Sequence, residues 1–321
     1  LHARDRVGVE DFVLLEDYTN PNAFIDNLKK RFKENLIYTF IGQVLVSVNP
    51  YKNLDIYSNE IIEKYRNVNL YELPPHIFAI SDVSYRLMRE ESRDQCILIS
   101  GESGSGKTEA SKKILQYLAA ASHHNPTVES VKDKLLLSNP VLEAFGNAKT
   151  NRNDNSSRFG KYMDIEFDYL GSPLGGHINN YLLEKSRVIH QNKGERNFHI
   201  FYELLNGADD ETLTKLFLRR DPQSYFYLNQ GDSEEITGTD DSKQYTVVKN
   251  AFKAFDFGEK EQNTILSIVS SVLHMGNTGF YEEDGQAVIA QLKTVSHICN
   301  LLQCKEDLLQ HAFTNRTIEA R

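Results

Sequence analysis

The sequence predicts an α/β domain, and three adjacent observations carry that reading. Residues 96–100, Cys-Ile-Leu-Ile-Ser, are a short apolar run of the kind a buried parallel strand shows. Gly101, Glu102, Ser103, Gly104, Ser105, Gly106, Lys107 and Thr108 follow at once. They fit the pattern of glycine, four residues, glycine, lysine, then serine or threonine. Ala110, Ile114, Leu115 and Leu118 then recur at helical spacing. Strand, glycine loop and helix arrive in the order that points the positive end of a helix at an anion.

Each residue type in that loop has a chemical reason. Gly101, Gly104 and Gly106 permit backbone turns that a side chain would block, so successive N–H groups can face phosphate oxygens. Lys107 brings a cation to the β- and γ-phosphates, and the Thr108 hydroxyl can sit on Mg²⁺. The spacing therefore predicts a site for a nucleoside triphosphate.

Composition narrows the partners. The chain has 321 residues, 40% hydrophobic and 10% aromatic, enough for a substantial core. A net charge of −9 argues against a nucleic-acid binder, since phosphate backbones need a basic face. The basic run Lys29, Lys30, Arg31 and Lys33 lies beside Phe24, Leu28 and Phe32, so it is expected on the wet face of an amphipathic helix. Cys96, Cys299 and Cys304 have no metal-site spacing and suggest reduced thiols in the cytosol, with Cys96 inside the buried strand. No apolar stretch approaches the length of a membrane span and no signal peptide is visible. Leu1 in place of methionine suggests a fragment.

Along the chain, residues 22–35 and 75–92 read as helices and residues 43–48 as a strand ending at Asn49-Pro50. Residues 122–127 read as a polar surface loop, whose His123 and His124 lack neighbours to complete a metal site. Residues 151–161 form a dense polar segment that reads on its own as a hydrophilic loop. It feeds a hairpin: residues 162–168 alternate in strand fashion, turn residues follow, and residues 177–184 read as the second strand. Residues 196–206 and 243–255 are expected helices, and residues 263–274 a buried one stopped near Gly276. The last amphipathic helix spans about 291–313. Asp256-Phe257-Gly258-Glu259 looks like a kinase metal-binding triplet, but no His-Arg-Asp loop accompanies it, and a helix junction is the simpler reading.

The residues also match a family. Gly101 through Glu109 resembles the phosphate loop of myosin motors, which usually has alanine where Ser105 stands. Asn153-Asp154-Asn155-Ser156-Ser157-Arg158-Phe159-Gly160-Lys161 resembles their switch I loop. Asn49-Pro50-Tyr51-Lys52, with Tyr57 further on, looks like the purine-binding loop. Residues 138–150, 183–187 and 194–202 carry the same likeness, which covers essentially the whole chain in order. The opening residues 4–12, with no room for the small N-terminal β-barrel of muscle-type myosins, and the short loop at 122–130 are most similar to class I, single-headed, membrane-linking myosins of the Ic/Ih type.

The resemblance and the loop context together imply a P-loop NTPase motor core with a mostly parallel central sheet flanked by helices. The motor domain would cover residues 5–321. Residues 5–130 would be an N-terminal subdomain and residues 131–321 part of an upper one. The resemblance further implies ATP and Mg²⁺ as cofactors, with Asn49, Pro50, Tyr51 and Tyr57 at the adenine end. The loop from Gly101 to Glu109, with Lys107 and Asn153, would hold the phosphates. Thr108 and Ser157 would ligate Mg²⁺, and Ser103 and Ser156 would help position the attacking water. Arg158 would pair with a glutamate on switch II, whose Asp-Ile-x-Gly-Phe-Glu motif does not occur in these residues. Arg158 is therefore expected to lack its carboxylate, and the isolated chain to hydrolyse little ATP. Actin filaments, calmodulin-type light chains and acidic membrane lipids would be partners, the last two through a neck and tail, in the cytoplasm at the actin cytoskeleton and the membrane periphery. Two other readings remain open. A soluble phosphotransferase should show an arginine-rich acceptor lid, and none stands out. A hydrolysis-incompetent scaffold would keep only nucleotide or partner contacts.

Overall fold

A computed structural model describes residues 7–122, 126–233 and 235–316. They fall into two compact units, the first running to Leu136 and including Met163–Ile178, the second holding Leu137–Tyr162 and the chain from Asn179 onward.

The first unit begins with α1 (Pro21–Lys33). The Asn20 side chain accepts the Asn22 N–H, and Pro21 takes the first-turn position where no donor is missed. A hairpin follows, β1 (Tyr38–Ile41) antiparallel to β2 (Val44–Ser47). Arg31 was expected on the wet face of α1, yet it is buried. Its Nε donates to Thr39 Oγ1 at 2.9 Å and its Nη2 to the Tyr38 carbonyl at 2.9 Å. A guanidinium can be buried where acceptors meet it, and β1 supplies two.

Three helices follow in the unit: α2 (Asn59–Tyr65), α3 (Ile77–Glu91) and α4 (Lys107–Ala121). Phe40, Ile62, Phe78, Ile114 and Tyr117 share one buried cluster. The buried Tyr117 hydroxyl donates to Asp82 Oδ1 at 2.8 Å, and Arg86 Nε meets Oδ2 at 2.7 Å, so the polar groups inside this layer are satisfied. His76 stands among Tyr38, Tyr65 and Phe78. Its Nδ1 accepts the Phe78 N–H at 3.0 Å, which leaves the proton on Nε2, 2.9 Å from the Ile56 carbonyl. Burial pushes its pKa down to about 4, against that last hydrogen bond.

The predicted strand at residues 96–100 is not assigned as one. Ile97 and Ile99 pack against the core while Leu98 is 88% exposed and Cys96 is exposed, not buried as expected. One face of the run is covered; the other is not. A ladder needs a neighbour about 4.8 Å away, and none is paired with this run among the described residues. The sheets found there are antiparallel two-stranded hairpins, and the mostly parallel central sheet is not among them.

Helix α5 (Pro126–Gly146) starts where residues 122–127 read as a loop; His123, His124 and Asn125 lie outside the described residues. After it come β3 (Asn147–Thr150) and β4 (Asn153–Ser157), paired antiparallel. The polar segment that read as a loop is thus partly a strand. In it Ser156 is buried opposite Ala148, while Asp154, Asn155 and Ser157 are exposed. Strands β5 (Gly160–Phe167) and β6 (Pro173–Tyr181) form the expected hairpin, with β6 starting earlier than its turn residues suggested.

The second unit continues through α6 (Ser186–Ile189), α7 (His199–Gly207), α8 (Asp210–Lys215), α9 (Asp241–Ala254) and α10 (Glu259–Gly276). Leu204, Leu205, Val248, Phe252, Leu266 and Leu273 interlock in its main buried cluster. Gly258 caps α10, so the kinase-like triplet is the junction between α9 and α10. The hairpin of β7 (Phe280–Glu283) and β8 (Gln286–Ile289) precedes α11 (Leu292–Leu302) and α12 (Glu306–Thr314). The single terminal helix expected from the sequence is broken at Gln303, whose φ of 55° is left-handed.

Because His76 folds as a neutral ring, its contribution to stability is complete above the ordinary histidine pKa of 6.5. It is lost as pH falls from there through about 4, since the unfolded chain binds the proton more readily. Urea midpoints measured between pH 7 and 4 should fall, and should fall less for His76→Gln.

Candidate functional site

In the first unit the glycine loop opens α4. Gly104 and Gly106 have φ of +80° and +94°, a conformation that a side chain would strain. Gly106 is the N-cap and no side chain caps the helix. First-turn N–H groups that a serine or aspartate would normally satisfy are left to another acceptor. A Cβ on Gly101 would run into the Ser105 hydroxyl, so the loop closes on itself at that point. Lys107 Nζ donates to the carbonyls of Gly101 at 2.7 Å and Glu102 at 2.9 Å. The ammonium therefore lies over the loop rather than in open water. Glu109 in the first turn pairs with Lys112 at 3.0 Å.

Two of the predicted adenine-end residues meet this loop's surroundings. Asn49 Nδ2 donates to the Gly104 carbonyl at 2.7 Å, and its Oδ1 accepts the Tyr51 N–H at 2.9 Å. Asn49 thus ties the segment after β2 to the glycine loop. Tyr51 takes a φ of 52° and is 83% exposed. Tyr57 shares a hydrogen bond of 2.8 Å with Tyr38, and Lys113 Nζ sits 4.4 Å over its ring. Gln116 Nε2 donates to the Tyr57 carbonyl at 3.2 Å, which binds this residue to α4 itself.

In the second unit, β4 carries Asn153, Ser156 and Ser157, and Arg158 follows it. Asn153 Nδ2 donates to the Asn155 carbonyl at 3.1 Å and its Oδ1 accepts the Asn155 N–H at 3.1 Å. The buried Ser156 hydroxyl accepts from Arg158 Nη1 at 3.1 Å. Arg158 was expected to lack the switch II glutamate that the resemblance implies; among the residues present, its Nε donates to Glu184 Oε2 at 2.7 Å. The same oxygen accepts from Arg187 Nε at 2.7 Å. Burial alone would raise the Glu184 pKa, but the two guanidinium hydrogen bonds win and hold it below the usual value. Those bonds in turn raise the Arg158 pKa, with the Glu184 hydrogen bond leading.

Sequence reasoning missed the residues that hold β4. Asn155 Nδ2 donates to Glu143 Oε2 at 3.0 Å, and its Oδ1 accepts from Asn147 Nδ2 at 2.9 Å. His199 Nε2 lies 3.1 Å from that same Oδ1. Burial, aided by Arg196, drives the His199 pKa down to about 3, so the ring is neutral and Nε2–H donates. Glu203, one turn along α7, is also buried; desolvation, then Asp241, push its carboxyl up to about 8. Only adjacency to recognisable motifs could have flagged these side chains, because no local spacing links residues 143, 155, 199 and 184.

The glycine loop and β4 belong to different units. Among the described residues no group of three or more His, Cys, Asp or Glu side chains could hold a metal ion. The magnesium ligands expected here, Thr108 and Ser157, offer hydroxyl oxygens, which are not among those side chains.

A family model for the myosin head (motor domain) matches residues 9–321. Unconventional myosin IC of Drosophila melanogaster is 59% identical over 321 residues, covering 100% of this chain and 31% of that protein. Unconventional myosin-Ic of Gallus gallus is 57% identical over 322 residues, and unconventional myosin-Ih of Homo sapiens 56%. Each covers 100% of this chain and is itself covered to 31%. The chain spans about a third of the length of these relatives.

The Arg158–Glu184–Arg187 cluster generates a stability test. Glu184→Gln should lose about 1.5–3 kcal/mol in urea unfolding at pH 7, the worth of hydrogen bonds to a charged group. The stabilisation is complete above the ordinary carboxylate pKa of 4.5 and disappears as pH falls through the lower folded value, so variant and parent should converge in acid.

Proposed function

Because the chain belongs to the myosin head (motor domain) family, we propose that it carries the nucleotide-binding residues of an ATP-dependent, actin-based motor of the class I type. The observation that supports this most directly is the glycine loop. Two left-handed glycines lead into an uncapped helix start, with an ammonium folded over the loop. That donor set fits a triphosphate. An uncapped helix start, a helix dipole and a lysine all favour an anion.

The chain's own residues divide the work. Lys107 would exchange two neutral carbonyl acceptors for phosphate oxygens, a gain because hydrogen bonds between charged groups are about twice as strong. The backbone from Gly101 to Glu109 would hold the phosphates, assisted by Asn153. Asn49, Pro50, Tyr51 and Tyr57 would receive the adenine end. Asn49 is suited to transmit nucleotide contact to the loop, since it already grips Gly104. Thr108 and Ser157 would hold the magnesium ion. Bound Mg²⁺ neutralises charge on the phosphates and so eases transfer of the γ-phosphoryl group. Ser103 and Ser156 would orient the attacking water, and Arg158 would steady Ser156. We assign residues 5–130 to an N-terminal subdomain and 131–321 to part of an upper one. Actin, calmodulin-type light chains and acidic membrane lipids belong to the same proposal, at the actin cytoskeleton and the cell periphery. No helix among the described residues is long and apolar enough to cross a membrane.

Titration of the chain with a fluorescent ATP analogue and Mg²⁺ tests the site. Binding should saturate, and Lys107→Ala should weaken it by roughly 10- to 100-fold, from the hydrogen bonds to charged oxygens that it removes. Thr108→Ala should weaken binding in Mg²⁺ but not in EDTA. Equal affinity for all three proteins would refute the assignment. Co-sedimentation of the full-length protein with actin filaments, released by ATP, tests the motor reading.

A further inference from the structure

The end of α11 brings two thiols together. Cys299 is buried in the last turn, and Gln303 beyond it takes the left-handed conformation. The Gln303 N–H and the Cys304 N–H both reach the Cys299 carbonyl, the latter at 3.1 Å. This is the six-to-one hydrogen bond of a helix stop, which places the side chains of its first and last residues in contact. Accordingly, the Cys299 and Cys304 sulfurs are 3.7 Å apart. The contact is set by the backbone turn, so it does not depend on two flexible side chains meeting by chance.

We propose that Cys299 and Cys304 are a modification site: a dithiol that hydrogen peroxide converts to an intramolecular disulfide. Cys304 is exposed and reacts first. Its thiolate attacks a peroxide oxygen; a sulfur–oxygen bond forms, the oxygen–oxygen bond breaks, and the leaving hydroxide takes the thiol proton to become water. The Cys304 sulfur has lost two electrons and is a sulfenic acid. Cys299 then gives up its proton and attacks that sulfur. The sulfur–sulfur bond forms as the sulfur–oxygen bond breaks, and hydroxide leaves with the proton as a second water. Two thiols and one peroxide become one disulfide and two waters. Cys299 is the slower, resolving partner, because burial first, and then Cys304 and the nearby acidic Glu306 and Asp307, push its thiol up to about 11.

The bond would fasten the last turn of α11 to the corner leading into α12. Cys299 packs there with Ile289 and Val295, against Leu309 and Phe313. The inference stands on this geometry alone and is independent of nucleotide binding.

The test uses the 321-residue chain, hydrogen peroxide, iodoacetamide and trypsin. Residues 294–305 fall in a single tryptic peptide holding both cysteines. Untreated protein, denatured and alkylated, should give this peptide with two alkyl groups. After peroxide it should carry none and weigh two hydrogens less than the reduced peptide, reverting with dithiothreitol. Cys299→Ser should stop at a Cys304 sulfenic acid that dimedone captures, and Cys304→Ser should leave Cys299 alkylatable. Two alkyl groups on the treated peptide, sulfinic acids without a link, or a bridge to Cys96 or to a second chain would overturn the proposal.

Discussion

The left-handed conformation of Gly104 and Gly106 governs what the first unit can do. A side chain at either position would be strained by φ of +80° or +94°. With glycine there, the chain turns sharply enough to begin α4 without a capping side chain. That leaves the start of the helix open to an outside acceptor, and the site's polarity follows. The same turn exposes the Gly104 carbonyl to Asn49 and the Gly101 and Glu102 carbonyls to Lys107. The loop's Gly101, Glu102 and Gly104 carbonyls are thus already occupied by the protein, while no side chain caps the start of α4. An anion is therefore favoured over a cation, and the preference is built into the backbone.

The second unit solves a different problem, that of keeping a strand of asparagine and serine in place. Such residues prefer turns, because their side chains compete for backbone hydrogen bonds. Here that competition is turned to use. Asn153 closes on Asn155 through its amide, and Asn155 is then held by Glu143, Asn147 and His199 from α5, β3 and α7. At the strand's end Arg158 is fixed by Glu184, which also receives Arg187. Ser157 faces outward from a strand whose neighbours on both sides are anchored. A hydroxyl there can be presented to a ligand without the strand itself needing to move.

Much of this was legible in the sequence, for identifiable reasons. Helices with strong apolar spacing, such as α3 and α10, lie close to their expected bounds because one face had to be buried. The glycine loop was legible because few residue types tolerate its conformation. The terminal helix was read as one because the apolar spacing of Ile298, Leu302 and Leu309 continues across the break, whereas the left-handed Gln303 gives no compositional warning. The inward turn of Arg31 was hidden because its acceptors, Thr39 and the Tyr38 carbonyl, belong to the following hairpin. Residues 96–100 read as a strand from their apolar character, but hydrogen-bonded neighbours make a strand, and composition reports only the covered face. Glu184 was invisible as the partner of Arg158 for the same reason: their pairing is 26 residues apart and tertiary.

Beneath β4 the charge balance explains why the layer can be so polar. Arg196 is fully buried, yet its Nη2 meets Asp241 Oδ2 at 2.8 Å and its guanidinium lies 3.8 Å from the Tyr202 ring centre. One carboxylate thus neutralises one guanidinium, and a second ionised carboxylate would leave the interior with excess negative charge. Glu203 avoids that by keeping its proton, as burial and the repulsion from Asp241 require. His199 avoids the opposite excess by staying neutral beside Arg196. Asn155 therefore meets dipoles on its carbonyl oxygen and a single carboxylate, Glu143, on its amide nitrogen. Its orientation follows from those partners: reversing the amide would set its oxygen against Glu143 Oε2 and its donors against those of Asn147 and His199. That reversal costs hydrogen bonds at every contact, so the Asn155 amide is held in one orientation by Glu143, Asn147 and His199 together.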